Sequence, residues 1–251
     1  MLQDNTIVAL IDFDNFYREV QQYQNVAVLI HEFNRIVGEA LEINAMTEHV
    51  IIRLYGGWME NGLLTQLASL IQQEISKARF FPLRHPKTSG LLRGNIDLAT
   101  SLLSMPSMIW QNTRKRRNGL PRIRLDRSII SSICESNKDG CPVKILEKFT
   151  KKKGKLCPVD GCTSTHNTAF TVIEQKMVDI ILSCDILFLI DQPQVISLII
   201  MSDDSDIHPA IALASEKSNK YILLIHKNQQ QVPILEQLFS GMSVGIKDWR
   251  I

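Results

Sequence analysis

The run VISLIIMSDDSD, residues 195–206, decides how this chain is read. Its first part, Val195–Met201, is apolar or small at every position, the pattern of a strand buried on both faces of a parallel sheet. Ser202, Asp203, Asp204, Ser205 and Asp206 follow at once, and residues 206–217 then carry helical spacing. A buried strand that ends in acids and turns into a helix is the carboxyl end of a strand in an α/β fold, where such sheets bind ligands.

Working outward, a second run of this kind opens the chain. Thr6–Asp12 (TIVALID) is a short apolar run with β-branched residues, and Phe13, Asp14 and Asn15 follow it. Residues 15–41 have helical spacing, and His49–Tyr55 (HVIIRLY) predicts a second strand ended by Gly56 and Gly57. Residues 61–78 predict an amphipathic helix with Leu63, Leu64, Leu67, Leu70, Ile71 and Ile75 on one side. Residues 172–189 are apolar on nearly every face and predict a buried helix. Residues 221–225 predict a strand, 232–239 a helix and 243–246 a last strand. Strands alternating with helices imply an α/β fold, a doubly wound parallel sheet with right-handed crossovers, over a single domain spanning 1–251.

Residues 81–166 break this rhythm and are read as an insertion or elaboration of the core. Pro82, Pro86, Gly90, Gly94 and Pro106 interrupt it early, and 121–130 alternate as a half-exposed strand, with Ile123 and Leu125 against Arg122 and Arg124. Cys134, Cys141, Cys157 and Cys162 follow in loop-like sequence. Four thiolates, or three with His166, could hold a structural zinc ion; reduced, partly buried thiols are the alternative. Cys184, on the apolar helix, is expected to fill the core.

Composition bounds the classes. The 251 residues are 45% hydrophobic and 22% charged, which suits a globular domain with its own core. No apolar run is long enough to span a bilayer, so no membrane partner is expected. The first residues lack a basic lead and enter a strand directly, so no signal peptide is expected and a cytoplasmic setting follows. Five unevenly spaced cysteines argue against a disulfide framework.

The net charge is only +2, but it is segregated. Residues 114–127 hold Arg114, Lys115, Arg116, Arg117, Arg122, Arg124 and Arg127 against Asp126 alone; Lys148, Lys151, Lys152, Lys153 and Lys155 form a second block. Basic blocks beside an acidic centre point to a polyanionic substrate with a cation between, although a solvated loop would carry the same bias. Asp12, Asp14, Asp204 and Asp206 lie at two strand-to-helix turns, and Asp179 lies in the apolar helix, where a carboxylate requires a partner. Converging carboxylates favour Mg²⁺ or Mn²⁺, which take hard oxygen ligands and can activate water against a phosphodiester. The plainer readings are helix capping by the turn residues and pairing of Asp179 with Lys176 or an arginine.

Three motifs, in order, resemble the NYN group of PIN-like nucleases. IDFDN (residues 11–15) looks like the group's first-strand motif, QKMVD (175–179) like its Lys-x-Val-Asp helix motif, and SDDSD (202–206) like its Ser-Gly-Asp-Ser-Asp motif. The resemblance covers about residues 6–80 and 171–246. It implies a metal-dependent endoribonuclease acting on RNA, with Asp12, Asp179, Asp204 and Asp206 as catalytic metal ligands. Asn15 and Ser202 would be supporting polar residues, Asp14 would stand behind them, and Asp185 would be structural. Asp203 departs from the group by replacing its glycine, Ile207 by replacing its usual aromatic, and residues 81–166 match nothing in it.

Two further residues invite a functional reading. His208 could touch substrate, but a place at the helix start is favoured; Trp58 could stack on a base, but packing is favoured. A haloacid-dehalogenase-type phosphatase is suggested by DFDN, yet the later acid it needs is His208. A catalytically inactive RNA- or partner-binding module remains the main rival. The insertion leaves open a homo-oligomer or a regulatory protein partner.

Overall fold

The computed structural model describes residues 2–16, 26–85, 90–119, 140–150, 156–157 and 159–249. In chain order the elements are β1 (Thr6–Asp12), α1 (Phe13–Phe16), α2 (Val26–Ile43), β2 (His49–Tyr55), β3 (Met59–Glu60), β4 (Leu63–Leu64), α3 (Gln66–Ala78), β5 (Leu83–Arg84) and β6 (Leu91–Leu98). They continue with β7 (Ser101–Leu102), β8 (Met105–Ile109), β9 (Arg114–Asn118), α4 (Pro142–Thr150), α5 (His166–Ala169), β10 (Thr171–Gln175) and α6 (Val178–Ile190). The last are β11 (Val195–Met201), α7 (His208–Lys217), β12 (Tyr221–His226), α8 (Val232–Leu238) and β13 (Val244–Asp248).

Seven strands form one sheet in the order β13-β12-β11-β1-β2-β6-β5. All of its neighbouring pairs are parallel except β5 against β6. Strand β1 is buried at every position because both faces of the sheet are covered. On one face Ile7, Ala9 and Ile11 pack with Phe33 and Ile36 of α2 and Ile71 of α3. On the other, Val8 and Leu10 pack with Ile181 and Leu182 of α6, Ile211 of α7 and Leu235 of α8. The α/β class and the parallel sheet expected from the sequence are thus present, with helices on both faces.

The chain leaves β1 toward β2 and β6 on one side, then returns to build β11, β12 and β13 on the other. Strand order therefore reverses between β1 and β11, and the crevice beyond their carboxyl ends is the place where open α/β sheets bind ligands.

Several boundaries differ from the sequence reading. The helix expected over 61–78 starts only at Gln66: Asn61 and Gly62 take left-handed backbone, and Met59–Leu64 form a hairpin instead. Thr65 caps the helix through Ala68 N at 3.2 Å, and Leu63 points to solvent at 73% exposure. The helix expected over 172–189 is two elements. Thr171–Gln175 is strand β10, and the helix α6 begins after Met177, whose φ of 64° ends the extended run. An apolar run does not by itself tell strand from helix, and here the β-branched Thr171, Val172 and Ile173 favour extension. Cys184 is exposed, not in the core, because α6 turns that face outward with Ile180.

The chain divides into two units: residues 1–114 with 175–251, and Lys115–Glu174. Within 81–166, Leu91–Leu98 is β6 of the main sheet. In the second unit, β9 pairs with β10, Arg117 bridges Glu174 at 2.8 Å, and Phe149 of α4 meets the ring of His166. The expected strand over 121–130, with Arg122, Arg124 and Arg127, lies outside the described residues, as do Cys134 and the lysines at 151–153 and 155.

Candidate functional site

Asp12 is the last residue of β1 and is 1% exposed. Its Oδ1 accepts from Asn15 N at 3.4 Å and its Oδ2 from Asn15 Nδ2 at 2.6 Å, so the carboxylate caps the turn that opens α1. Oδ2 also accepts from the hydroxyl of Ser202 at 2.9 Å. Ser202 directly follows β11, so this bond ties the two strand ends that flank the crossover point.

The acidic turn continues from that serine. Ser202 Oγ accepts from Asp204 N at 3.0 Å, and Asp204 Oδ1 accepts from Asp206 N at 2.8 Å, capping the short 3₁₀ turn Ser205–Ile207. Capping, the plainer reading of these acids, is therefore real at both turns. It coexists with a shared electrostatic environment, since one carboxylate can do both.

Asp179 enters this environment from the first turn of α6. Its pKa is raised, by partial burial first and then by the charges of Asp204 and Asp206. Asp12 is raised from 3.8 to about 6, mainly by burial, with the charge of Asp179 adding to it. The bonds from Ser202 and Asn15 pull the other way but do not win. Asp179 thus lies within electrostatic reach of Asp12 on one side and of Asp204 and Asp206 on the other, across three separate stretches of chain. Among the described residues, however, no three His, Cys, Asp or Glu side chains come together closely enough to hold a metal ion.

Other expected site residues lie apart from this group. Asp14 accepts from Gly57 N at 3.0 Å and so fixes the turn after β2. Asp185 is fully buried and binds Arg53 Nε at 3.1 Å, Tyr55 Oη at 2.7 Å and Leu103 N at 2.8 Å, a structural role as expected. Trp58 is buried, donates to Leu54 O at 2.7 Å and packs on Phe13, so it offers no face to a base. His208 heads α7 with its ring edge on Phe239.

In the second unit, Lys115, Arg116 and Arg117 form the exposed strand β9. Cys157 and Cys162 approach each other in a turn closed by Cys157 N to Ser164 O at 2.8 Å; Cys141 is buried at the start of α4. No zinc-binding group of three is assembled among the described residues.

The sequence reading missed the end of β12. Asp203 Oδ1 accepts from Lys227 N at 2.7 Å and stands 3.3 Å from His226 Nδ1, while Lys227 Nζ donates to Asn15 O at 2.5 Å. The signal was available: His226 and Lys227 close an apolar strand, as Asp12 closes β1. Asp203 thereby fixes the backbone that follows β12.

No helix of the described residues is long and apolar enough to cross a membrane. No protein-family model, no curated protein and no solved structure matches this chain.

Proposed function

We propose that this chain is a PIN-like, divalent-metal-dependent endoribonuclease of the NYN kind, cutting RNA at the crevice between β1 and β11. The observation that carries the reading is the Ser202–Asp12 bond, which joins two acid-bearing strand ends at the point where strand order reverses.

The donor set fits a hard divalent cation, because every candidate ligand is a carboxylate oxygen. Asp12, Asp179, Asp204 and Asp206 would hold Mg²⁺ or Mn²⁺. When bound, the ion would lower the pKa of a water and neutralise charge on the phosphodiester. Residues of the chain itself do the positioning. Asn15 and Ser202 fix the Asp12 carboxylate from two sides, and the backbone N–H of Asp206 fixes that of Asp204. Burial raises the pKa of Asp12 to about 6, with the charge of Asp179 adding to it, so a cation beside the carboxylate would favour its charged form. Exposed Lys115, Arg116 and Arg117 supply charge for a nucleic-acid backbone.

A second reading, an inactive RNA- or partner-binding module, is favoured by one observation: the acids do not close into a group that holds an ion. Incubation of a mixed RNA pool with Mg²⁺ or Mn²⁺ separates the two. Cleavage that EDTA stops, and that Asp12→Asn or Asp204→Asn removes, supports the nuclease. Binding without cleavage under either metal supports the module.

A further inference from the structure

We propose that Lys227 is the phosphate-binding cation of the acidic crevice, placing a backbone phosphate of a single-stranded RNA over the carboxyl ends of β12 and β11. The inference rests on the nuclease reading for its substrate, but its own basis is the fixed position of a charge that no described carboxylate pairs.

Lys227 directly follows β12, the neighbour of β11 in the sheet. Both ends of the residue are held. Its backbone N donates to Asp203 Oδ1, and its Nζ donates to the backbone carbonyl of Asn15, whose amide in turn holds Asp12. The stem passes Phe16, with Nζ 5.2 Å from the ring centroid. One lysine therefore reaches across the ends of three adjacent strands. A side chain fixed in this way loses little rotamer freedom when a ligand arrives.

Among the described residues no carboxylate cancels the charge on Nζ. An ammonium group has three donors, and Asn15 O, a neutral acceptor, takes one. Among the described residues no carboxylate forms an ion pair with Nζ; Asp203, in the turn after β11, is bound to the backbone N instead. A cation of this kind beside a negative cluster gives an incoming phosphate a point of attraction where the acids alone would repel it.

The test uses the full chain and a short fluorescent single-stranded RNA. Binding is followed in the Asp204→Asn background, which blocks turnover, from low to high KCl. Lys227→Gln is expected to weaken binding roughly five- to tenfold at low salt and to reduce the salt slope by about 0.7, one phosphate contact for a single strand. Lys227→Arg is expected to restore most of both. With Asp204 intact, Lys227→Gln should raise KM more than it lowers kcat. Unchanged affinity and slope in Lys227→Gln overturn the proposal. So does a loss that Arg does not rescue and that comes with a lower melting temperature, since that marks a strut between strands. Wild-type protein that cuts no RNA, yet binds it in a Lys227-dependent way, sinks the nuclease reading and keeps this one. Neither cutting nor binding overturns both.

Discussion

The hydroxyl of Ser202 donates a 2.9 Å hydrogen bond to Oδ2 of Asp12, joining residues 190 positions apart in the chain. The bond stabilises the charged form of a buried carboxylate. Ser202→Ala should therefore push the Asp12 pKa above its value of about 6. Carbon-13 chemical shifts of the Asp12 carboxyl across a pH series read this directly; an unchanged midpoint would show that the hydroxyl is not part of the site.

The acids should be needed for chemistry and not for folding. Asp12→Asn and Asp204→Asn are each expected to lower RNA cleavage by about 10²-fold or more while leaving the thermal midpoint at neutral pH unchanged or higher. Asparagine keeps a cap acceptor at each turn, and at Asp12 it removes a charge that burial disfavours. A large loss of stability in either variant would count against the electrostatic account.

Metal and protons should compete. The folded pKa of Asp12, about 6, lies above its ordinary 3.8, so its charged form is disfavoured in the fold. That penalty is present in full above pH 6 and fades as pH falls toward 4, and Asp179 acts in the same direction. Metal-free protein should gain stability from these groups on mild acidification. Added Mn²⁺ should raise the melting temperature more at pH 7.5 than at pH 5, because protonated acids do not bind it. Calorimetry at the two pH values decides; equal shifts would mean that the ion binds elsewhere.

Asp185 should be a stability residue. It is fully buried with Arg53, Tyr55 and the Leu103 N–H as partners, and Arg53 also binds Asp97 and the carbonyl of Ser101. Asp185→Ala takes one of two carboxylates from the buried Arg53 guanidinium and leaves the Tyr55 hydroxyl and the Leu103 N–H unpaired, and should cost about 3–5 kcal/mol in urea unfolding.

Gly94 should be irreplaceable on packing grounds. A Cβ there would lie 2.2 Å from the carbonyl oxygen of Val50 on the adjacent strand, and backbone cannot yield as a side-chain tip can. Gly94→Ala is expected to lower stability by about 1–3 kcal/mol, read in the same urea experiment.

The apolar runs made most of the sheet legible. Thr6–Asp12, His49–Tyr55 and Val195–Met201 are strands at the residues expected, because a strand covered on both faces needs apolar side chains at nearly every position. The same run of apolar residues misled at 172–189, where β10 and α6 meet, and at 61–64, where a hairpin precedes α3. Strand β6 was hidden because exposed Arg93 and Asn95 and half-buried Asp97 interrupt its apolar pattern.

The sequence by itself determined which acids stand at strand ends, since each follows its buried strand within a few residues. Tertiary structure alone decided which of them share surroundings. It joined Asp12 to Ser202, turned Asp14 toward Gly57 and brought Lys227 to Asn15. The physical reason is strand order: β1 is far from β11 and β12 in the chain yet lies beside β11 in the sheet, and local periodicity carries no record of which strands become neighbours.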